Sequence, residues 1–376
     1  MSDHTASRAP SWMTPFTRIT SRGDYVPEID GLRFFALLGV YLLHLNHAVM
    51  NHGKQLTGVE HSTMTRILEC GSSGVQLFFA ISGFILALPF ARAQMEGAKP
   101  ISLRAYFLRR LTRLEPPLII NVTLALLLKT LILGRAFGEL LPHYFATCTY
   151  THYLTYGAVS PINGVTWSLE VEAQFYIMMP LLASVFKIPS KMARRSVIIG
   201  GMVLFGIVGR HVPYVFLPAQ LSHFLAGFFL VDLWLNEWKQ ERKLTITHDF
   251  FALMSAAALL AVLYFNRQIP LSGVWFPLLI LSGAYCSLKG KWMMAFLRFW
   301  VTGAIGGMCY TFYLYHVVVL ALIGRVVSRW ITANDQFTAY GIFFIIATPV
   351  ILVLSFALFA TTERPFMKWR PRWARS

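Results

Sequence analysis

The sequence predicts an all-α integral membrane protein with about ten transmembrane helices and both termini in the cytoplasm. Three observations support this. Of the 376 residues, 56% are hydrophobic and 13% are charged, roughly half the charged share of a soluble domain. Apolar runs of about 18–22 residues, each long enough to cross the hydrocarbon core of a bilayer, recur along the chain. Lysines and arginines collect in every second connection between those runs.

Taken in order, residues 1–24 are polar, carry no apolar signal-peptide core and read as a retained, flexible basic cytoplasmic tail. A transmembrane domain follows over 25–365, and 366–376 form a second basic cytoplasmic tail. The predicted spans lie near 31–50, 70–90, 114–134, 166–186, 196–212, 215–235, 249–266, 271–288, 300–323 and 338–360. With the N-terminus inside, 24 of the 33 Lys and Arg residues fall in cytoplasmic segments, eight fall at outer positions, and Arg33 lies in the first span. Such asymmetry orients multi-span proteins. It also accounts for the net charge of +16 without a nucleic-acid partner. No internal repeat is visible, which argues against a transporter built from inverted halves. The connection 135–165, rich in aromatic residues, Gly and Pro, is predicted to fold over the outer mouth. The four cysteines make neither a metal nor a redox spacing, and no metal is expected.

The first span carries two costly ionisable groups, Arg33 and His44. Ionisable side chains inside a span mark functional sites by default. Eleven positions at ~100° each return His44 to within about 20° of Arg33, with roughly 16 Å between them along one face. Given the orientation, Arg33 lies at the cytoplasmic edge and His44 roughly 9 Å below the outer edge. Glu172 in the fourth span and His316 in the ninth reckon to about the same depth. A carboxylate beside an imidazole orients it and stabilises its charged form, so His44 and Glu172 are the candidate catalytic pair. Ser168 and Tyr176 lie four residues to either side of Glu172, on its helix face. With His316 they are possible catalytic or acceptor-binding groups. Each of these residues could instead bridge helices, as intramembrane polar groups often do.

A second cluster lies on the cytoplasmic side, in RAYFLRRLTRLEPP. Arg110 and Arg113 share a helix face at i,i+3, and paired guanidiniums present forked donors that suit phosphate. Their alternative is an anchor for lipid head groups. A donor with phosphates on these arginines and Arg33, and a reactive end near His44, must be about 16 Å long. The pantetheine arm of coenzyme A has that reach, which favours an acyl-CoA donor. Small residues in the second span (Ser72, Ser73, Gly74, Ser82, Gly83) serve either close helix approach or a narrow channel.

At this point the chain resembles the type 3 membrane acyltransferases, bacterial ten-span enzymes that acylate hydroxyl groups of extracytoplasmic acceptors. The pieces are IDGLRFFALLGVYLLH with Arg33 and His44, GVQLFFAISGF, YFLRRLTRLEP with Arg110 and Arg113, TWSLEVEAQFYIMMP with Ser168, Glu172 and Tyr176, CYTFYLYH ending at His316, and TTERPF. The resemblance spans about residues 25–370. It implies an acyl-CoA donor, usually acetyl-CoA, bound from the cytoplasm, with important roles for Arg33, His44, Arg110, Arg113 and Glu172. Glu170 and Glu115 depart from the family pattern.

The expected activity is O-acyl transfer, most simply of acetyl, to a hydroxyl of an extracytoplasmic carbohydrate or glycolipid such as lipopolysaccharide or exopolysaccharide. The expected location is the bacterial cytoplasmic membrane. Either His44 acts as general base or it carries the acyl group as nucleophile. The alternative from another class is a secondary transporter or polysaccharide flippase, in which buried His and Glu relay protons.

Overall fold

The computed structural model describes residues 26–52, 59–238, 243–265, 271–328 and 335–368. The predicted tail 1–24, most of the tail 366–376, and the charges Lys54, Lys239, Arg242, Arg267 and Arg329 lie outside them. Among the described residues the fold is helical with no β-strand. The helices are α1 (Pro27–His52), α2 (Thr63–Glu69), α3 (Ser73–Met95), α4 (Leu103–Leu131), α5 (Phe137–Cys148), α6 (His152–Tyr156), α7 (Trp167–Leu182) and α8 (Lys191–Val208). They continue with α9 (Leu217–Leu233), α10 (Ile246–Tyr264), α11 (Ser272–Ser287), α12 (Lys291–Leu297), α13 (Trp300–Gly307), α14 (Cys309–Val327), α15 (Gln336–Leu358) and α16 (Arg364–Lys368).

Eight helical segments among the described residues are long and apolar enough to cross a membrane, so the chain is an all-α integral membrane protein. Two further predicted spans correspond to shorter helices, α9 with 17 residues and α11 with 16. Three boundaries differ from the sequence reading in ways that matter.

The third span begins at Leu103, not near 114. Ser102 caps it by accepting from the Ala105 N–H at 3.4 Å, so the arginine cluster sits inside a 29-residue helix, not on a connection. The ninth span is two helices, broken at Met308. Gly303, Gly306 and Gly307 weaken the first of them, and a Cβ on Gly306 would collide with the Asp30 carbonyl of α1.

The third difference concerns the approach to α7. Residues before it do not run along the surface: Ser160, Ile162 and Asn163 are buried. Asn163 Nδ2 donates to the Leu314 carbonyl at 2.8 Å and to Asn121 Oδ1 at 2.8 Å, and Asn121 Nδ2 donates to the same carbonyl at 3.0 Å. Irregular backbone at such depth is tolerated where protein buries it and satisfies its polar groups. The connection before α7 therefore dips into the bundle, and α7 starts inside it.

The centre of the bundle is α3, which packs against α1 on one side and α9 on the other. Glycines make both contacts possible. A Cβ on Gly74 would strike the Ala36 carbonyl of α1, and Gly83 and Gly227 hold α3 and α9 backbone to backbone. In a bilayer, where burying apolar surface against another helix gains little over lipid, such close packing is what joins helices. Phe224 of α9 then stacks between Phe79 of α3 (4.8 Å between centroids) and Phe175 of α7 (3.9 Å). The small residues of the second span thus serve close approach at Gly74 and Gly83, whereas Ser82 faces a cleft.

Candidate active site

Helices α1 and α14 run side by side, in contact from Gly306 against Asp30, just before α14, to Gly324 against His52. That alignment brings His44 to His316. His44 Nδ1 and His316 Nε2 are 3.0 Å apart, and His316 is fully buried while His44 is half-buried. The tautomers follow from the partners. His316 Nδ1 faces two backbone carbonyls, of Tyr313 at 2.8 Å and Phe312 at 3.2 Å. Carbonyls only accept, so Nδ1 carries the proton, and Nε2 of a neutral ring is left as an acceptor. His44 Nδ1–H must then donate to it. His44 Nε2 then carries the lone pair of the neutral ring, and the His47 ring lies 5.8 Å from the His44 ring, centroid to centroid.

Below this pair lies a cleft lined by Arg33, Arg110, Arg113, Ser82, Ser168, Glu172, Tyr176, Cys309 and Tyr313 among others. Arg33 reaches it from α1, held by Asp30 one helical turn earlier at 2.6 Å. Arg110 lies over the rings of Tyr106 and Tyr176, 5.9 and 5.8 Å from their centroids. The Nε atoms of both Arg110 and Arg113 are sealed from solvent without a hydrogen-bond partner. A buried guanidinium N–H left unpaired is costly, so this cluster is electrostatically suited to an anion.

Glu172 belongs to this cleft. Its Oε1 accepts from Tyr176 OH at 2.5 Å and from Ser82 Oγ at 3.0 Å. Among the described residues no hydrogen bond or ion pair joins Glu172 to His44. The expected depth match therefore gives way to a different arrangement: His316 partners His44, and Glu172 stands with the arginines. The cause is the buried segment 160–166. Counting from Thr166 as an outer edge placed Glu172 too high, because Asn163 already lies level with Leu314. Tyr176 shares the face of Glu172 as its spacing predicted, but Ser168 pairs with Tyr313, Oγ to OH at 2.9 Å. Tyr313 lines the cleft and its ring lies 5.8 Å from that of His316, so one side chain separates cleft from histidine pair.

Of the two departures from the family pattern, Glu170 accepts from the Tyr153 backbone N–H at 3.0 Å and ties α6 to α7, while Glu115 bonds the Tyr150 hydroxyl. Sequence reasoning missed Asp30, Tyr313, Asn121 and Asn163, while Ser82, named there among the small residues of the second span, lines the cleft. The i,i+3 spacing of Asp30 and Arg33 could have exposed the first; the others give no local signal. No cluster of three metal-ligating side chains occurs among the described residues.

The family model of the acyltransferase 3 domain matches residues 26–360. A Staphylococcus aureus (strain COL) protein that carries the name "Putative O-acetyltransferase" is 25% identical over 92% of this chain and 59% of its own length. The peptidoglycan O-acetyltransferase OatA of Listeria monocytogenes is 26% identical over 43% of this chain and 25% of its own. The chain thus spans about three-fifths of the length of the first of these relatives. No solved structure matches it. Because the match takes in every helix from α1 to α15, the chain belongs to the acyltransferase 3 family.

Proposed function

We propose that this acyltransferase moves an acetyl group from cytoplasmic acetyl-CoA to a hydroxyl of an extracytoplasmic carbohydrate. The observation that carries the reading is the pair of sealed, unpaired guanidinium nitrogens of Arg110 and Arg113 beside Arg33. Donor phosphates satisfy them, each such charged hydrogen bond being worth about 1.5–3 kcal/mol. The pantetheine arm then runs along the cleft parallel to α1 and past Tyr313, covering the roughly 16 Å that separates Arg33 from His44.

At the outer end His44 Nε2 accepts the proton of the acceptor hydroxyl. The oxygen attacks the thioester carbonyl carbon, the carbon–sulfur bond breaks, and the departing thiolate of coenzyme A takes the proton back from His44. His316 holds His44 in the tautomer this requires, a role a carboxylate plays in other general bases. When Nε2 gains a proton, the positive charge is shared through the His44–His316 hydrogen bond toward the Tyr313 and Phe312 carbonyls. Glu172, braced by Tyr176 and Ser82, lines the path of the donor arm.

The bias of basic residues toward alternate connections supports an orientation with both termini inside, and the reading places the protein in the bacterial cytoplasmic membrane. The name of the Listeria relative points to cell-wall glycan as one acceptor of this class. The test is acetyl transfer from labelled acetyl-CoA to envelope glycans in membrane vesicles. Transfer is expected from the wild type and not from His44→Ala; full transfer by His44→Ala in purified, reconstituted protein overturns the mechanism. An acetyl group trapped on His44 would replace the base by a covalent intermediate.

A further inference from the structure

A second cleft lies between α4 and α7. It shares Arg110, Leu114, Leu169, Glu172 and Tyr176 with the donor cleft, so the two meet along a common wall. Its rim is apolar and open: Phe107 is 39% exposed, Leu111 53% and Ile177 68%. Both helices belong to segments apolar enough to span the membrane, so the rim faces hydrocarbon, where soluble metabolites are scarce and lipid chains abundant. The Tyr106 hydroxyl donates to the Tyr176 carbonyl at 3.3 Å, bridging α4 and α7; beyond that bridge the gap is walled by leucines, Ala173 and Ile177.

We propose that this lateral opening binds a membrane lipid whose phosphate head group carries a net negative charge, its chain between α4 and α7 and its phosphate on Arg110. An unsatisfied cationic donor selects that occupant. The cleft's one cationic lining group is Arg110, whose Nε has no partner. Its two carboxylates are already engaged, Glu172 by Ser82 and Tyr176, and Glu115 by Tyr150. An amphiphile with an apolar tail and an anionic head fits a pocket with leucine walls and an unpaired guanidinium at its inner end. Since Arg110 lines both clefts, lipid and acyl donor compete for it.

The experiment uses the full chain in nanodiscs of phosphatidylglycerol or phosphatidylcholine, transferred to detergent and weighed intact by native mass spectrometry. One phosphatidylglycerol per chain is expected to survive transfer, and phosphatidylcholine to survive at least about tenfold less. Ala173→Phe fills the cleft without touching the donor site and is expected to lose the retained lipid about tenfold while binding acetyl-CoA as the wild type does. Acetyl-CoA is expected to displace the lipid from the wild type. Should Ala173→Phe fail to fold, wild type labelled by a photoreactive phosphatidylglycerol replaces it: labels in peptides 107–115 and 169–177 support the site.

Equal retention by wild type and Ala173→Phe overturns the proposal, as does equal retention of the two lipids. Labelling no denser there than at lipid-facing Phe250 and Phe251 of α10 overturns it too. Displacement of the lipid by an equimolar amount of inorganic phosphate would show that the tail contributes nothing, and so also overturns it. Failure of acetyl-CoA to bind with lipid still retained would count against the proposed donor and leave the lipid site standing.

Discussion

Replacing His316 by Leu removes the imidazole acceptor of His44 Nδ1–H while keeping a buried apolar volume of similar size. The 3.0 Å bond between the rings is neutral on both sides, so its net worth is about 0.5–1.5 kcal/mol. Losing it also frees His44 to rotate and to adopt the other tautomer. Together these cost about 1–2 kcal/mol of base-competent enzyme, which at 1.36 kcal/mol per decade is roughly 5–30-fold in kcat. Deleting the base itself, His44→Ala, is expected to cost about 10²–10⁴-fold. The two losses are not independent, because His316 acts only through His44. The double variant is therefore expected to match His44→Ala alone. His316→Gln, whose amide can still accept near the position of Nε2, is expected to recover much of the loss. The assay is initial-rate release of coenzyme A thiol from acetyl-CoA by reconstituted protein with acceptor membranes, fitted for kcat and donor KM. A donor KM that rises with His316→Leu, or a double variant whose losses multiply, refutes the assignment of His316 as a positioning residue.

Other outcomes test the remaining parts. Arg110→Ala is expected to weaken acetyl-CoA binding about 10–100-fold, from one or two charged hydrogen bonds, measured by titration calorimetry in detergent; unchanged affinity would remove the arginines from the donor site. Asn163→Ala leaves Asn121 Oδ1 without its donor and the Leu314 carbonyl with one partner fewer. It is expected to cost about 1–3 kcal/mol of stability, read as a lower thermal midpoint, and an unchanged midpoint would deny that 160–166 is held inside the bundle. Gly83→Val places a side chain where the Phe224 backbone lies. It is expected to destabilise α3 against α9 by at least about 1–3 kcal/mol, seen as lost monodisperse protein on size exclusion; normal folding would contradict the close contact.

The fold was legible because its signals are long and additive. Ten apolar runs survive errors of a few residues at each end, and every one meets a helix. The site was legible where a residue could be counted from a genuine membrane edge. His44 and His316 sit on helices that pass the same level side by side, so rise per residue brought them together. Glu172 could not be placed by counting, because its helix starts within the bundle. Ile162 and Asn163 belong to a connection expected to fold over the mouth, and the carbonyl of Leu314, 151 residues from Asn163, shows that they lie buried in the bundle. Arg110 and Arg113 came from i,i+3 spacing, which depends on nothing outside their own helix. Tyr313 emerges only when α7 and α14 are packed, for nothing local marks one tyrosine of CYTFYLYH above its neighbours.

The glycine contacts of α3 have a mechanical consequence. Where backbone meets backbone, as at Gly74 with α1 and at Gly83 with Gly227 of α9, no side chain stands between to rotate and take up a displacement. Helices α1, α3 and α9 form a stiff plate. The opposite wall, α4 and α7, is joined at the cleft by a hydroxyl bridge and otherwise separated by yielding leucine and aromatic side chains. Any widening that admits a bulky substrate falls on that compliant side, so the plate keeps Arg33 and His44 at a constant spacing, like marks on a ruler, while the facing wall breathes.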